Sequence, residues 1–145
     1  MLLIRDFRYD DIRSVAGIVS GVFNRHYSDG FYESIHESWR EGFLVAHSEN
    51  GMVGLLAAMM SAPKEARILL MAVKPEYRNH GIGRSMLAEF TERCFGKGLK
   101  VINLEVRITN DAAIRFYKNQ GFEMVSVIPN YYEDGGAGYH MKKML

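Results

Sequence analysis

The stretch at residues 68–83, ILLMAVKPEYRNHGIG, constrains this chain more than any other. It opens as a continuous apolar run, Ile68-Leu69-Leu70-Met71-Ala72-Val73, the pattern of a buried strand. Pro75 has no amide hydrogen to give to a sheet ladder, so the strand must end before it. A basic, glycine-bearing turn follows, Arg78-Asn79-His80-Gly81-Ile82-Gly83, and then Met86, Leu87, Phe90 and Cys94 recur at helical spacing. Strand, glycine turn and helix together form a phosphate-binding arrangement. The glycines let a ligand approach the backbone closely. The first amides of the helix lack internal partners, and the helix dipole favours negative charge there.

Two familiar phosphate motifs do not fit. A dinucleotide fingerprint needs a third glycine where Met86 stands. A nucleoside triphosphate loop needs Gly-Lys-Ser/Thr, whereas the run here is Gly83-Arg84-Ser85 with no glycine opening the loop.

The 145 residues fit one domain, spanning 1–145, with a sizeable core. A formal net charge of +1 gives no reason to expect nucleic acid or a membrane as partner. The single cysteine, Cys94, excludes an intramolecular disulfide and a cysteine metal cluster, and its apolar surroundings read as core. His36, His47 and His140 show no metal-ligand spacing with acidic neighbours, so no catalytic metal is expected. The N-terminus turns charged at Arg5 and Asp6, too soon for a signal peptide, and the longest apolar run (52–60) is too short to span a bilayer. The expectation is a cytoplasmic protein, monomer or homodimer.

Taken in order, residues 2–7 read as a strand, and Asp10 or Asp11 as the cap of a helix carrying Ile12, Val15, Ile18 and Val19. Ser28-Asp29-Gly30 reads as a turn, and a short helix over 31–39 is expected to end at Gly42. Strands at 43–46 and 52–59 flank an Asn50-Gly51 hairpin signal. After the strand at 66–73 and the loop helix come a strand at 100–106 and a helix capped by Asn110 and stopped by Gly121. Strands at 123–128 and 139–144 close the chain. The order β-α-α-β-β-β-α-β-α-β-β is that of a mixed α/β sheet with helices on its faces. The crossover between residues 68 and 106 makes those two strands parallel. Ligands of such sheets lie off the carboxyl ends of the strands, where Val73, Gly81–Gly83 and Glu105 fall.

Arg78-x-x-Gly81-x-Gly83 after an apolar strand resembles the acyl-CoA loop of the GNAT (Gcn5-related) acetyltransferases. Asn110, Ala113, Tyr117 and Gly121-Phe122 resemble that family's N-x-x-A-x-x-x-Y-x-x-x-G-F segment. With Leu104-Glu105-Val106-Arg107 before it and Asn130-Tyr131-Tyr132 after it, the chain is most similar to the ribosomal-protein-alanine and archaeal N-terminal acetyltransferases. The resemblance implies the GNAT fold: a mixed, mostly antiparallel sheet whose central parallel pair splays to admit acyl-CoA, with helices on both faces. It implies acetyl-CoA as co-substrate. Met71, Ala72 and Val73 would offer backbone groups to the pantetheine arm. Arg78, Asn79, His80, Gly81, Ile82 and Gly83 would hold the pyrophosphate, with Arg84 and Ser85 opening the helix. Asn110 would touch the pantetheine, Glu105 would be the general base and Tyr117 the general acid. His26, Tyr27, Tyr131 and Tyr132 would border the acceptor.

The residues carry alternatives of their own. Ile102, Leu104 and Val106 fill one face of their strand, while Asn103 and Glu105 interrupt the other. That is a base at the carboxyl end, a half-exposed face, or a carboxylate paired with Arg107 or Lys100. On the residues alone, Tyr117 beside Ala113 and Phe116 reads as a core tyrosine with its hydroxyl satisfied. The enzymes that the chain resembles often carry Gly-Glu-Asp-Ala before the last strand, where this chain has Gly135-Gly136-Ala137-Gly138, with its acids moved ahead to Glu133-Asp134, a departure that bears on the acceptor. Three functions stay open. One is acetylation of a protein N-terminus, another acetylation of a small amine such as a polyamine, amino acid or aminoglycoside. The third is a non-catalytic acyl-CoA-binding module.

Overall fold

The computed structural model describes residues 1–145. Its strands are β1 (Leu3–Asp6), β2 (Phe43–Ser48), β3 (Gly51–Ala62), β4 (Glu65–Val73), β5 (Val101–Arg107), β6 (Glu123–Ile128) and β7 (Gly138–Met144). The helices are α1 (Ile12–Phe23), α2 (Asp29–Ser38), α3 (Ile82–Gly96) and α4 (Asp111–Asn119). The seven strands form one sheet in the order β1-β2-β3-β4-β5-β7-β6. Pairs β1–β2, β2–β3, β5–β7 and β6–β7 are antiparallel, and β4–β5 is the expected parallel pair. The α/β class and the element order read from the sequence both hold.

The chain divides into two compact units. The first comprises Met1–Met59 and Leu69–Arg93. Its strands bury apolar residues on both faces, and β3 changes phase at the irregularity opposite Ala46 and His47, where Val53 is the extra residue. Phe43 and Val45 of β2, Leu55 and Ala57 of β3, and Leu70 and Ala72 of β4 pack with Val15, Ile18 and Val19 of α1 and with Tyr32 and Ile35 of α2. On the other face Ala46, Val53, Met71 and Val73 pack with Ile82 and Met86 of α3. Phe7 stacks on Phe43 with ring centroids 4.0 Å apart. Both are buried, so truncating either to Ala removes about 3–5 kcal/mol.

Local chemistry places the ends of these elements, in three cases differently from the sequence reading. Ser28-Asp29-Gly30 is not a free turn. Ser28 Oγ accepts the Phe31 amide at 3.3 Å, so the segment is the capped first turn of α2. Asp11 does not cap α1 with its side chain. Its carboxylate accepts the Arg8 amide at 2.8 Å and pairs with Arg5 instead. Gly42 lies beyond the end of α2, where it makes room for the indole of Trp39: a Cβ there would meet the ring at 2.4 Å. The hairpin between β2 and β3 forms, but Ser48 pairs with Gly51, so Glu49-Asn50 are its turn residues.

The second unit comprises Met60–Ile68 and Cys94–Leu145. Its two sheet faces differ in chemistry. Ala66, Ile102, Leu104, Val106 and Met141 are buried on one. The other carries Arg67, Asn103, Glu105 and Arg107, with His140 and Lys142 of β7 directly opposite Glu105 and Asn103. The β4–β5 ladder is short, running from Glu65↔Val101 to Arg67↔Asn103. Tyr117 of α4 meets Phe116 and Phe122 edge-on, at centroid distances of 5.3 and 5.5 Å.

Candidate active site

The sequence-predicted residues fall into two groups, one in each unit. In the first unit, the basic turn after β4 has a defined shape. Asn79 and Gly81 both take positive φ, 63° and 79°. Arg78 Nε donates to the Val73 carbonyl at 3.2 Å, and His80 Nδ1 lies 3.1 Å from the Tyr77 carbonyl. The first bond of α3 closes from the Ser85 amide onto the Gly81 carbonyl at 3.0 Å. The amides of Ile82, Gly83 and Arg84 therefore precede the helical ladder and are the donors an anion would meet. Arg78, Asn79, His80, Gly81, Arg84 and Ser85 are exposed. Of the three β4 residues, Ala72 turns its carbonyl toward Gly54, where an added Cβ would lie 2.9 Å from it. His26 is exposed, and Tyr27 stacks on Phe31 at 4.2 Å.

In the second unit, Glu105 is held on both oxygens. Arg67 Nη1 donates to Oε2, and the Tyr131 hydroxyl donates to Oε1 at 3.2 Å. The partner is neither Arg107 nor Lys100. Arg107 is engaged elsewhere, with Asp134 at 3.1 Å. Next along β5, Asn103 Oδ1 accepts from His140 Nε2 at 2.7 Å, which fixes the proton on that nitrogen. Tyr131 and Tyr132 meet at right angles, 4.9 Å apart. Desolvation pushes the Tyr131 hydroxyl up, and the charge and hydrogen bond of Glu105 push it further, so it stays a donor. Desolvation likewise pushes the Tyr117 hydroxyl up, with Tyr132 adding to the rise. Asn110 Oδ1 accepts the Ala113 amide at 3.2 Å, the cap expected at the start of α4. No cluster of three His, Cys, Asp or Glu side chains is placed to hold a metal ion. No helix is long and apolar enough to cross a membrane.

Reading the sequence missed Arg67 here, and it named Arg107 only as a partner for Glu105, a pairing the structure does not make. Arg67 is the only cation in β4, and the parallel register with Asn103 brings it onto the Glu105 face. Arg107 lies with its guanidinium carbon 4.1 Å from the centre of the Tyr132 ring. The signal for Arg67 was a charged residue interrupting an apolar strand. The contacts of Arg107 with Tyr132 and Asp134 had no signal without the fold of the 130–136 loop.

A mixed sheet of this order, with a basic glycine-bearing turn leading into α3, is the architecture of the GNAT acetyltransferases. The chain matches the Acetyltransferase (GNAT) family over residues 12–122 and belongs to that family. It is an acetyl-CoA-dependent N-acetyltransferase. The N-alpha-acetyltransferase daf-31 of Caenorhabditis elegans is 33% identical over 150 residues, covering 98% of this chain and 82% of that protein. The crystal structure of Ard1 from Thermoplasma volcanium superposes with a TM-score of 0.95 at 35% identity, covering 99% of this chain and 97% of that one. Naa50 of Arabidopsis thaliana, solved with the bisubstrate analogue CoA-Ac-MVNAL, superposes with a TM-score of 0.89 at 25% identity and covers 99% of both chains.

Proposed function

We propose that the chain transfers acetyl from acetyl-CoA to the N-terminal α-amine of a protein, with Glu105 as general base and Tyr117 as the acid at the leaving sulfur. The observation that carries this reading is Glu105. It is a carboxylate at the carboxyl end of a core strand, with one oxygen bonded to a tyrosine of the 130–136 loop. The C–N bond forms as the amine attacks the thioester carbonyl, and the C–S bond breaks. Glu105 takes the proton of the acceptor ammonium, directly or through one water. An α-amine has a pKa of about 7.7–8.0, so roughly a tenth is already neutral near pH 7; a lysine at about 10.4 is neutral in fewer than about one molecule in a thousand. One carboxylate is therefore enough for an N-terminus.

Tyr117 stays protonated throughout the physiological range, because burial disfavours its phenolate. It is a permanently loaded hydrogen-bond donor. Transfer of its proton to a thiolate whose thiol is near 8.5 is uphill, so Tyr117 acts as the acid only while hydrogen-bonded to the departing sulfur, and the proton that the acetylated nitrogen loses replaces the one it gives. The amides of Ile82, Gly83 and Arg84 and the cations Arg78 and Arg84 suit a pyrophosphate, and Asn110 borders the cofactor arm. His26, Tyr27, Tyr131 and Tyr132 line the acceptor. The neighbour solved with a CoA–peptide analogue supports the peptide acceptor. The polyamine alternative draws less support, since Glu105 and Asp134 are already matched by Arg67 and Arg107.

The test is a mass-spectrometric assay with acetyl-CoA and a panel of acceptors. It holds peptides with free N-termini (those of ribosomal proteins included), N-blocked peptides with an internal lysine, and small amines. Acetyl only on free N-termini is expected. Acetyl only on small amines would overturn the reading, and no transfer with CoA bound would favour the non-catalytic module.

A further inference from the structure

We infer that Arg67 is a positioning residue for the reaction: with Tyr131 it clamps the Glu105 carboxylate in a single orientation, and this inference rests on Glu105 being the base. The argument starts from register. β4 and β5 run parallel with Arg67 beside Asn103. Residues 103 and 105 share a face of β5, so the Arg67 side chain reaches along that face to Glu105. Asn103 takes its bond from His140 at 2.7 Å, and the Arg67 guanidinium passes it to reach the charged carboxylate, the stronger acceptor. Arg107, two residues further along, is drawn off by Asp134 and the Tyr132 ring. Lys142 lies opposite Asn103 on β7, and Glu123 of β6 lies opposite Lys142. Arg67 is thus the one cation bonded to Glu105.

The burial of the pair makes its geometry matter. The Glu105 side chain is 9% exposed and that of Arg67 29%. A carboxylate at this depth, left without a cation, would rotate toward whatever donor or water it found. With Arg67 on Oε2 and Tyr131 on Oε1, two of about four lone-pair sites are used and the rest stay available to an incoming proton. A base works only when its oxygen points at the proton it takes, and small misplacements cost large factors in rate. Because Arg67 makes its contact through Nη1 alone, a lysine ammonium can supply the same kind of bond.

The experiment is a double-mutant cycle read in steady-state kinetics, with an N-terminal peptide acceptor and acetyl-CoA. Arg67→Met keeps the bulk and removes the donor. It is expected to lower kcat about tenfold or more in the wild-type background and less than about twofold in Glu105→Gln, with the KM for acetyl-CoA unchanged. Arg67→Lys is expected to recover most of that loss. Equal losses in both backgrounds would mark Arg67 as merely structural and overturn the inference, as would no loss in the wild type. If Glu105→Gln alone keeps full kcat, the base assignment falls and takes this inference with it. If Glu105→Gln is impaired while Arg67→Met is silent, only the inference falls. Thermal melting of each variant, with Arg67→Gln as a second substitution, separates misfolding from lost chemistry.

Discussion

Arg107 rests on the ring of Tyr132, 4.1 Å from its centroid, while its Nη1 donates to Asp134 at 3.1 Å. The same Asp134 oxygen accepts the Gly136 amide at 2.9 Å, and the Tyr132 amide donates back to the Gly136 carbonyl at 3.0 Å. The 130–136 loop is therefore a closed turn tied to the end of β5 by Arg107 and by the Tyr131–Glu105 bond. The missing side chain at 136 is what lets the arginine in, since a Cβ there would lie 2.6 Å from Arg107 Nη1. The glycine at 136 of the Gly135-Gly136-Ala137-Gly138 run thus has a physical role in this loop.

Gly136→Ala is expected to push Arg107 off Asp134 and loosen Tyr131 and Tyr132. An exposed ion pair is worth about 0.2–1 kcal/mol and an exposed cation–π contact about 0.5–1 kcal/mol, so the acceptor KM should rise by roughly threefold to thirtyfold at most. The KM for acetyl-CoA should not move. Steady-state kinetics with each substrate varied in turn checks this, and an unchanged acceptor KM would show that the loop does not depend on Arg107.

Gly81→Ala addresses the other group of residues. Gly81 holds φ at +79°, and an alanine there costs roughly 1–2 kcal/mol of backbone strain. Nothing lies within 4 Å of the added methyl, so sterics with neighbours contribute nothing further. The turn is expected to relax toward negative φ and misalign the amides at the start of α3. The KM for acetyl-CoA should rise about tenfold with peptide KM unchanged. Calorimetric titration with CoA reports the same loss without turnover, and retained affinity would remove the loop from the cofactor site.

What the sequence could and could not show follows from the range of the interactions. Continuous apolar runs and glycine stops made β4 and α3 readable, because those signals lie within a few residues of the structure they specify. The parallel pairing of β4 with β5 followed from the handedness of a crossover. Glu105 stood out as a charge on an otherwise apolar strand. Its partner did not, since Arg67 meets it through a register set across a sequence separation of 38 residues. Ser28-Asp29-Gly30 was ambiguous for a different reason. The same three residue types open a turn and cap a helix, and only the helix that follows decides between them.

Tyr117→Phe separates chemistry from binding. The hydroxyl is expected to act only as charge builds on the departing sulfur. Removing it should lower kcat about tenfold to a hundredfold while the KM for acetyl-CoA stays within about twofold. Equal loss of both would return Tyr117 to the role of a core residue. Because burial raises its ionisation above the ordinary tyrosine range, its deprotonation should not set an alkaline limb below about pH 10. A pH–rate profile of wild type and Tyr117→Phe that differ in their alkaline limbs would contradict this.

The last expectation concerns acid. Arg5 donates to both oxygens of Asp11 at 2.8 Å and to His47 Nε2 at 2.8 Å. An arginine only donates, so His47 must be the neutral acceptor, with its proton on Nδ1. Desolvation lowers the His47 pKa below 6.5, and the Arg5 and Arg8 charges lower it further, against the opposing pull of Asp11. For Asp11, burial disfavours the charge, but the Arg5 and Arg8 bonds outweigh it and hold the carboxyl below 3.8. Both folded-state values are depressed, so the unfolded chain binds more protons and stability falls as pH falls. The His47 contribution is whole above pH 6.5 and is lost as pH drops through its lowered value. The Asp11 contribution is whole above 3.8 and is lost below it. Melting curves between pH 7.5 and 5 should show a smaller decline in His47→Gln, whose amide oxygen accepts from Arg5 without titrating. Parallel declines in the two proteins would show that this cluster is not what acid disrupts first. Asp11→Ala should cost roughly 1–3 kcal/mol at neutral pH, since it strands the Arg5 guanidinium and frees the Arg8 amide.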